Sequence, residues 1–130
     1  MNEVCHEINV CIVGVGSNIN PDNNIQAVLA ILQREMVVKG VSEWIKTSPV
    51  GIIDQDDFIN GAVKIHTAMS QEAFKNYLKN LEDRLGRDRE LPKFGPRVID
   101  LDIVVWNDKI IDDDYYTRDF VKNTVDELMQ

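Results

Sequence analysis

The patterning of this 130-residue chain predicts an α+β fold: a ferredoxin-like sandwich with a β-α-β-β-α-β core and an antiparallel sheet carrying its helices on one face. Three observations lead there. An apolar run lies near the start at residues 8–15, two later stretches place apolar residues at helical spacing, and the segments between and after them read as strands.

The run at 8–15 is ended by Gly14, Gly16 and Ser17, so Gly16-Ser17-Asn18 reads as a turn. Pro21 and Asp22 are a helix start, and Ile25, Val28, Leu29, Leu32 and Met36 then fall on one helical face. Residues 37–47 read as a second strand, weakened by Gly40, and 48–57, with Pro49 and Gly51, as a loop. Residues 58–67 alternate: Ile59, Val63 and Ile65 point one way, Phe58, Asn60, Lys64 and His66 the other. Ser70 suits a helix N-cap, Phe74, Leu78, Leu81 and Leu85 form the next stripe, and Gly86 is its stop. Residues 87–97 are a basic loop, 98–106 a strand, Asn107-Asp108 a turn, and 117–129 a terminal helix. The sheet face away from the helices is then free to carry a site.

The length suits a single domain, and the net charge of −8 disfavours nucleic acid as a partner, because a phosphate backbone rewards electropositive surfaces. No apolar run approaches the ~20 residues a membrane span requires, and residues 1–7 do not look like a signal peptide, so cytoplasm is the expected location. Cys5 and Cys11 are too few for a disulfide framework. Arg84, Arg87, Arg89, Lys93 and Arg97 are nevertheless clustered, which in an acidic protein suits a small anionic ligand.

The sharpest local signal is Arg97-Val98-Ile99-Asp100-Leu101-Asp102-Ile103. On a strand, Asp100 and Asp102 share a face while Ile99, Leu101 and Ile103 anchor the other. Two carboxylates so close repel unless a cation compensates, and Mg²⁺ takes one or two carboxylates together with phosphate oxygens and water. Taken alone, the pair also fits exposed acids on an edge strand; Arg97 beside it favours a phosphate site. Phe58 and Asn60 share a strand face and offer a ring and a carboxamide to a flat heterocycle, although such a pair is common.

In order and spacing, Gly16-Ser17-Asn18, Thr47-Ser48-Pro49-Val50-Gly51, Asp57-Phe58-Ile59-Asn60, Leu85-Gly86-Arg87 and Phe94-Gly95-Pro96-Arg97-x-x-Asp100-Leu101-Asp102 resemble the 6-hydroxymethyl-7,8-dihydropterin pyrophosphokinases of folate biosynthesis. The resemblance runs from about Val10 to Asp112. It implies transfer of the β,γ-diphosphoryl group of ATP to the hydroxymethyl group of a reduced pterin, releasing AMP. By the same resemblance Asp100 and Asp102 would hold two Mg²⁺ ions, Arg87 and Arg97 would clamp phosphates, and Thr47, Val50, Phe58 and Asn60 would line the pterin pocket. Phe120 would cover the second face of the pterin, and Glu82, Arg89 and Lys93 would join Arg87 and Arg97 on the nucleotide side. Phosphoryl transfer is mostly positioning and charge neutralisation, so this set suffices without a protein nucleophile.

The chain departs from the family pattern in four places that keep a ring or a charge or change one loop residue: Phe94 for Trp, Phe58 for Tyr, Lys93 for Arg, and Ser48 for Pro. The larger departure is C-terminal. Family members usually carry a Pro-His segment that helps bind ATP, then an Arg-x-Phe stretch and a further subdomain. Here Asp112-Asp113-Asp114-Tyr115-Tyr116 leads directly to Arg118-Asp119-Phe120. A single pyrophosphokinase domain over 1–130 with a shortened C-terminal end, weaker nucleotide binding and a monomeric state is therefore expected. The alternatives are a divergent or inactive relative and a ferredoxin-like module that binds a small ligand without chemistry.

Overall fold

A computed structural model describes residues 7–49, 51, 54–87, 89–90 and 95–129. The order is β1 (Asn9–Ser17), α1 (Pro21–Glu35), β2 (Val37–Val41), β3 (Ile45–Thr47), β4 (Phe58–Thr67), α2 (Gln71–Arg84), β5 (Asp100–Trp106), β6 (Lys109–Ile110), α3 (Asp114–Thr117) and α4 (Asp119–Leu128). The strands form one six-stranded sheet in the order β2-β4-β1-β5-β6, with β3 also on β4, and every pairing is antiparallel. Among the described residues no helix is long and apolar enough to cross a membrane.

The predicted helices form for the expected local reasons. Asn20 in the left-handed region turns the chain into Pro21, whose fixed φ and missing N–H suit a first helical turn. Ser70 Oγ accepts the Ala73 N–H at 3.1 Å, and Gly86, at φ 93°, ends α2. Both helices cover one face of the sheet. Ile25, Val28 and Leu32 of α1 and Phe74, Leu78 and Leu81 of α2 bury Cys11, Val13, Val15, Val63, Ile65 and Leu101. Burial pushes the Cys11 thiol up to about 12, so it behaves as a small apolar side chain.

The predicted strand over 37–47 is two strands, because Ser42 turns into the sheet. Its N–H donates to the Ala62 carbonyl at 2.9 Å, and its Oγ accepts the Ala62 N–H at 2.8 Å in place of a backbone carbonyl. Trp44 then fills the space beside Gly61, where a Cβ would lie 2.4 Å from the indole ring. The first strand continues through Gly16 and Ser17 instead of ending at 15, and the last long strand begins at Asp100 instead of 98.

A second core lies on the opposite face, where the terminal helix packs at one end. Val125 of α4 is fully buried with Ile12, Ala62, Val104 and Val105, and Leu128 and Val121 flank them. A bulge in β5 supplies two valines to this layer. Val13 pairs with Ile103 and Ile12 with Val105, leaving Val104 unpaired; Trp106 thereby returns to the helix layer and packs near Phe74 at a ring separation of 6.1 Å. The helices α1 and α2 take the face predicted for them. The face expected to stay free is partly covered by α4, whose apolar stripe requires burial, and the uncovered end holds the site.

Candidate active site

The site is laid out by sheet register. Gly16 of β1 stands between Asn60 of β4 and Asp100 of β5, and Gly14 stands between Ala62 and Asp102. Residues directly opposite on neighbouring strands point to the same face, so these are two rows across the uncovered end of the sheet. The two glycines leave a flat floor. A Cβ on Gly16 would meet Asn60 Oδ1 at 2.8 Å, and one on Gly14 would touch Val104 at 3.4 Å. With two interstrand spacings between them, the Asn60 and Asp100 backbones lie about 10 Å apart.

Above this floor is a cleft of about 340 Å³. Thr47, Ser48, Phe58 and Asn60 line one side, Arg87, Arg97, Asp100, Asp102, Asp112 and Asp114 the other, and Arg118, Phe120, Val121 and Thr124 form a wall from the C-terminal end. Eight residues predicted from the sequence thus meet in one cavity: Thr47, Phe58, Asn60, Arg87, Arg97, Asp100, Asp102 and Phe120. Glu82 and Arg89 do not line it. Val50 and Lys93 lie outside the described residues.

On the heterocycle side, the Asn60 Nδ2 donates to Thr47 Oγ1 at 2.6 Å, which fixes the carboxamide orientation and leaves its Oδ1 over Gly16. Phe58 and Phe120 both bring rings to the cleft. A flat ring in the cleft finds aromatic side chains and a carboxamide edge together.

The other side is strongly charged. Asp100 Oδ1 accepts from Arg87 at 3.0 Å. Asp102 has open surface toward the cleft, yet the surrounding protein excludes enough water to raise its carboxyl to about 8. Negative charge on Asp100, Glu82 and Asp112 adds to that rise. Burial also raises Asp112, opposed by the Asp114 N–H on its carboxylate and reinforced by Asp114, Asp113 and Asp100.

This donor set fits a hard divalent cation. Asp102 is held back from ionising by burial and by nearby negative charge, and a bound cation would favour its charged form. Among the described residues no group of three or more acidic, histidine or cysteine side chains is arranged to hold a metal. Two carboxylates that need phosphate and water to complete the sphere are the arrangement Mg²⁺ commonly accepts.

Arg97 is buried, and its guanidinium donates to the carbonyls of Gly95 and Pro96 at 3.1 Å each. The loop before β5 is therefore wrapped around that side chain. Asn18 secures the same loop from β1. Its N–H donates to the Arg97 carbonyl at 3.0 Å, its Oδ1 accepts the Arg97 N–H at 2.8 Å, and its Nδ2 donates to Gln55 Oε1 and the Asp56 carbonyl. Ser17 Oγ adds a bond to the Val98 carbonyl at 2.6 Å.

Sequence reasoning missed these roles. Gly16-Ser17-Asn18 reads locally as a turn, whereas Gly14 and Gly16 are floor residues and Asn18 is a clamp between two loops. The alternation Gly14-x-Gly16 in an otherwise apolar strand was the available signal for the floor. Asp112, Asp114 and Arg118 also enter the cleft without a role assigned from the sequence.

Comparison with known proteins gives the family. The profile of the 7,8-dihydro-6-hydroxymethylpterin-pyrophosphokinase family matches residues 12–130. The chain is 32% identical over 133 residues to the 2-amino-4-hydroxy-6-hydroxymethyldihydropteridine pyrophosphokinase of Bacillus subtilis, covering 94% of this chain and 79% of that protein. The enzyme of the same name from Haemophilus influenzae is 31% identical, with 84% of this chain and 74% of that protein covered. The Synechocystis enzyme is 34% identical over 81% of this chain, which spans about half of that relative at 53%. On the profile match and these identities, the chain belongs to the 7,8-dihydro-6-hydroxymethylpterin-pyrophosphokinase family.

Proposed function

We propose that this chain transfers the terminal diphosphate of ATP to the hydroxymethyl oxygen of 6-hydroxymethyl-7,8-dihydropterin and releases AMP, a step of folate biosynthesis. The observation that carries the reading is the register of β4, β1 and β5, which sets Asn60 and Asp100 across one glycine. A pterin stacked at Phe58 and bonded to Asn60 directs its side arm over that glycine toward the acids.

The hydroxymethyl oxygen attacks the β-phosphorus, the bond from that phosphorus to the α-phosphate oxygen breaks, and AMP leaves with the bridging oxygen. The hydroxyl proton passes to solvent. Asp100 and Asp102 would hold Mg²⁺, two ions on this reading. The bound metal would supply charge neutralisation on the polyphosphate. Arg87, beside Asp100, would follow the moving negative charge, and Arg97 shapes the loop beside it. Phe120 and Phe58 hold the ring and keep water from its faces.

Asp112 and Asp114 line the cleft with Asp100 and Asp102, and their negative charge weakens the binding of a polyphosphate. We read the protein as a cytoplasmic monomer. The sheet edges support the second part: β2 carries Lys39 at an irregularity in its pairing, and β6 is two residues long.

AMP formation from Mg-ATP and the pterin, wild type beside Asp102→Ala, tests the reading. Pterin-dependent AMP that disappears in the variant is expected. A folded wild type that binds the pterin and forms no AMP would sink it, in favour of a divergent relative.

A further inference from the structure

Glu82 lies on α2, and its side chain is 4% exposed, behind the cleft rather than in its lining. Each carboxylate oxygen is already occupied. Oε2 accepts the Leu101 N–H at 2.8 Å and Arg87 Nη1 at 2.9 Å, and Oε1 accepts Arg89 Nη2 at 3.1 Å. Leu101 is the residue between the two aspartates, so this helix carboxylate pins the strand at the centre of the Asp-x-Asp pair. The same residue holds Arg87 twice. The Arg87 N–H donates to the Glu82 carbonyl at 3.0 Å just after Gly86 turns the chain, and the guanidinium then reaches from Glu82 to Asp100 at 3.0 Å. Arg89, which also bonds Asp83 at 3.0 Å and the Lys79 carbonyl at 3.2 Å, braces the far oxygen of the carboxylate.

We propose that Glu82 is a positioning residue that sets Arg87 against the Asp100–Asp102 pair and touches neither nucleotide nor pterin. The proposal rests on the reading of the cleft given above. A guanidinium on a long flexible arm loses considerable freedom when it is held, and a buried carboxylate with a fixed backbone contact does the holding before substrate arrives. The anchored group is the Nη1 end, which Glu82 Oε2 and Asp100 Oδ1 both accept from, at 2.9 and 3.0 Å.

The test is a double-mutant cycle. Glu82→Gln keeps the shape and one acceptor for the Leu101 N–H but loses the charge that holds Arg87. It is expected to lower kcat by about tenfold or more while the KM for ATP and for pterin stays within about threefold, the pattern of an effect made in the transition state. Arg87→Ala is expected to cost at least as much, and the double variant no more than Arg87→Ala alone, because both changes remove one unit. Additive losses, or a selective rise in the KM for ATP in Glu82→Gln, would overturn the proposal and make Glu82 a nucleotide contact. Glu82→Asp, which keeps the charge on a shorter arm, is expected to fall between wild type and Glu82→Gln; thermal unfolding of each variant checks that the fold is retained.

A substrate-free readout separates this proposal from the reaction itself. The arginine Nε–Hε resonance missing from Arg87→Ala identifies Arg87 in ¹⁵N spectra. It should be dispersed in the wild type and move toward the position of a free arginine in Glu82→Gln. An unmoved resonance would refute the anchoring even in an active enzyme. A resonance that moves in Glu82→Gln, in a protein whose wild type makes no AMP, would uphold the anchoring and refute the reaction.

Discussion

Asn18 and Arg97 exchange two hydrogen bonds, Asn18 N–H to the Arg97 carbonyl at 3.0 Å and Arg97 N–H to Asn18 Oδ1 at 2.8 Å. The end of β1 is thereby locked to the loop that delivers the Asp-x-Asp strand, and Asn18 Nδ2 extends the lock to the loop before β4. Asn18→Ala leaves the buried Arg97 N–H without an acceptor and frees both loops. It should cost about 2–3 kcal/mol in urea unfolding, the usual penalty for stranding a buried donor and losing its neighbours. Asn18→Asp keeps the acceptor for Arg97 and loses the two Nδ2 bonds, so a smaller loss is expected.

Asp102 makes stability depend on pH with a definite sign. Its carboxyl is raised in the fold from the ordinary 3.8 to about 8, so between those values the unfolded chain is ionised where the folded one prefers the proton. Raising the pH through that window therefore destabilises the metal-free protein, and the effect levels off above about 8. Asp102→Asn, which imitates the protonated form, should leave Tm nearly unchanged at pH 4.5 and raise it at pH 8.5. Equal Tm differences at both values would contradict the raised carboxyl.

The same group predicts that metal binding releases protons. At pH 6.5 a cation on Asp102 must displace its proton, and titration calorimetry with Mg²⁺ and ATP in buffers of different ionisation enthalpy should report release of up to about one proton. The release should vanish in Asp102→Asn. Affinity for Mg²⁺ should rise from pH 6 to pH 8, whereas an unchanged affinity would mean that Asp102 is not a ligand.

Gly16 is the narrow point of the floor. In Gly16→Ala the new methyl lies 2.8 Å from Asn60 Oδ1 and must displace it. Pterin affinity should fall about tenfold by fluorescence titration, roughly the value of one misaligned hydrogen bond, with nucleotide affinity little changed. Thr47→Val releases the carboxamide from its 2.6 Å bond and should act in the same direction.

The C-terminal helix is part of the fold. Val125 is fully buried against Ile12, Ala62, Val104 and Val105, so Val125→Ala should cost about 1–3 kcal/mol through lost contacts and a small cavity. Val125→Asp should prevent stable folding, measured as loss of a cooperative thermal transition.

Local chemistry settled most of the elements. Pro21, Ser70 and Gly86 start and stop helices through backbone terms that act within a turn, and the period-two pattern from Phe58 to Thr67 orients β4 correctly. The facing of Asp100 with Asp102 and of Phe58 with Asn60 follows from the same period, and the motif order was enough to indicate the family. Everything that depends on which strand lies beside which was decided in three dimensions. No local rule places Gly16 between Asn60 and Asp100, makes Asn18 a clamp across 79 residues to Arg97, or buries Glu82 behind Leu101. Nor does one turn Ser42 inward or send α4 across the second face, since each contact exchanges water for a distant partner whose approach the whole sheet controls.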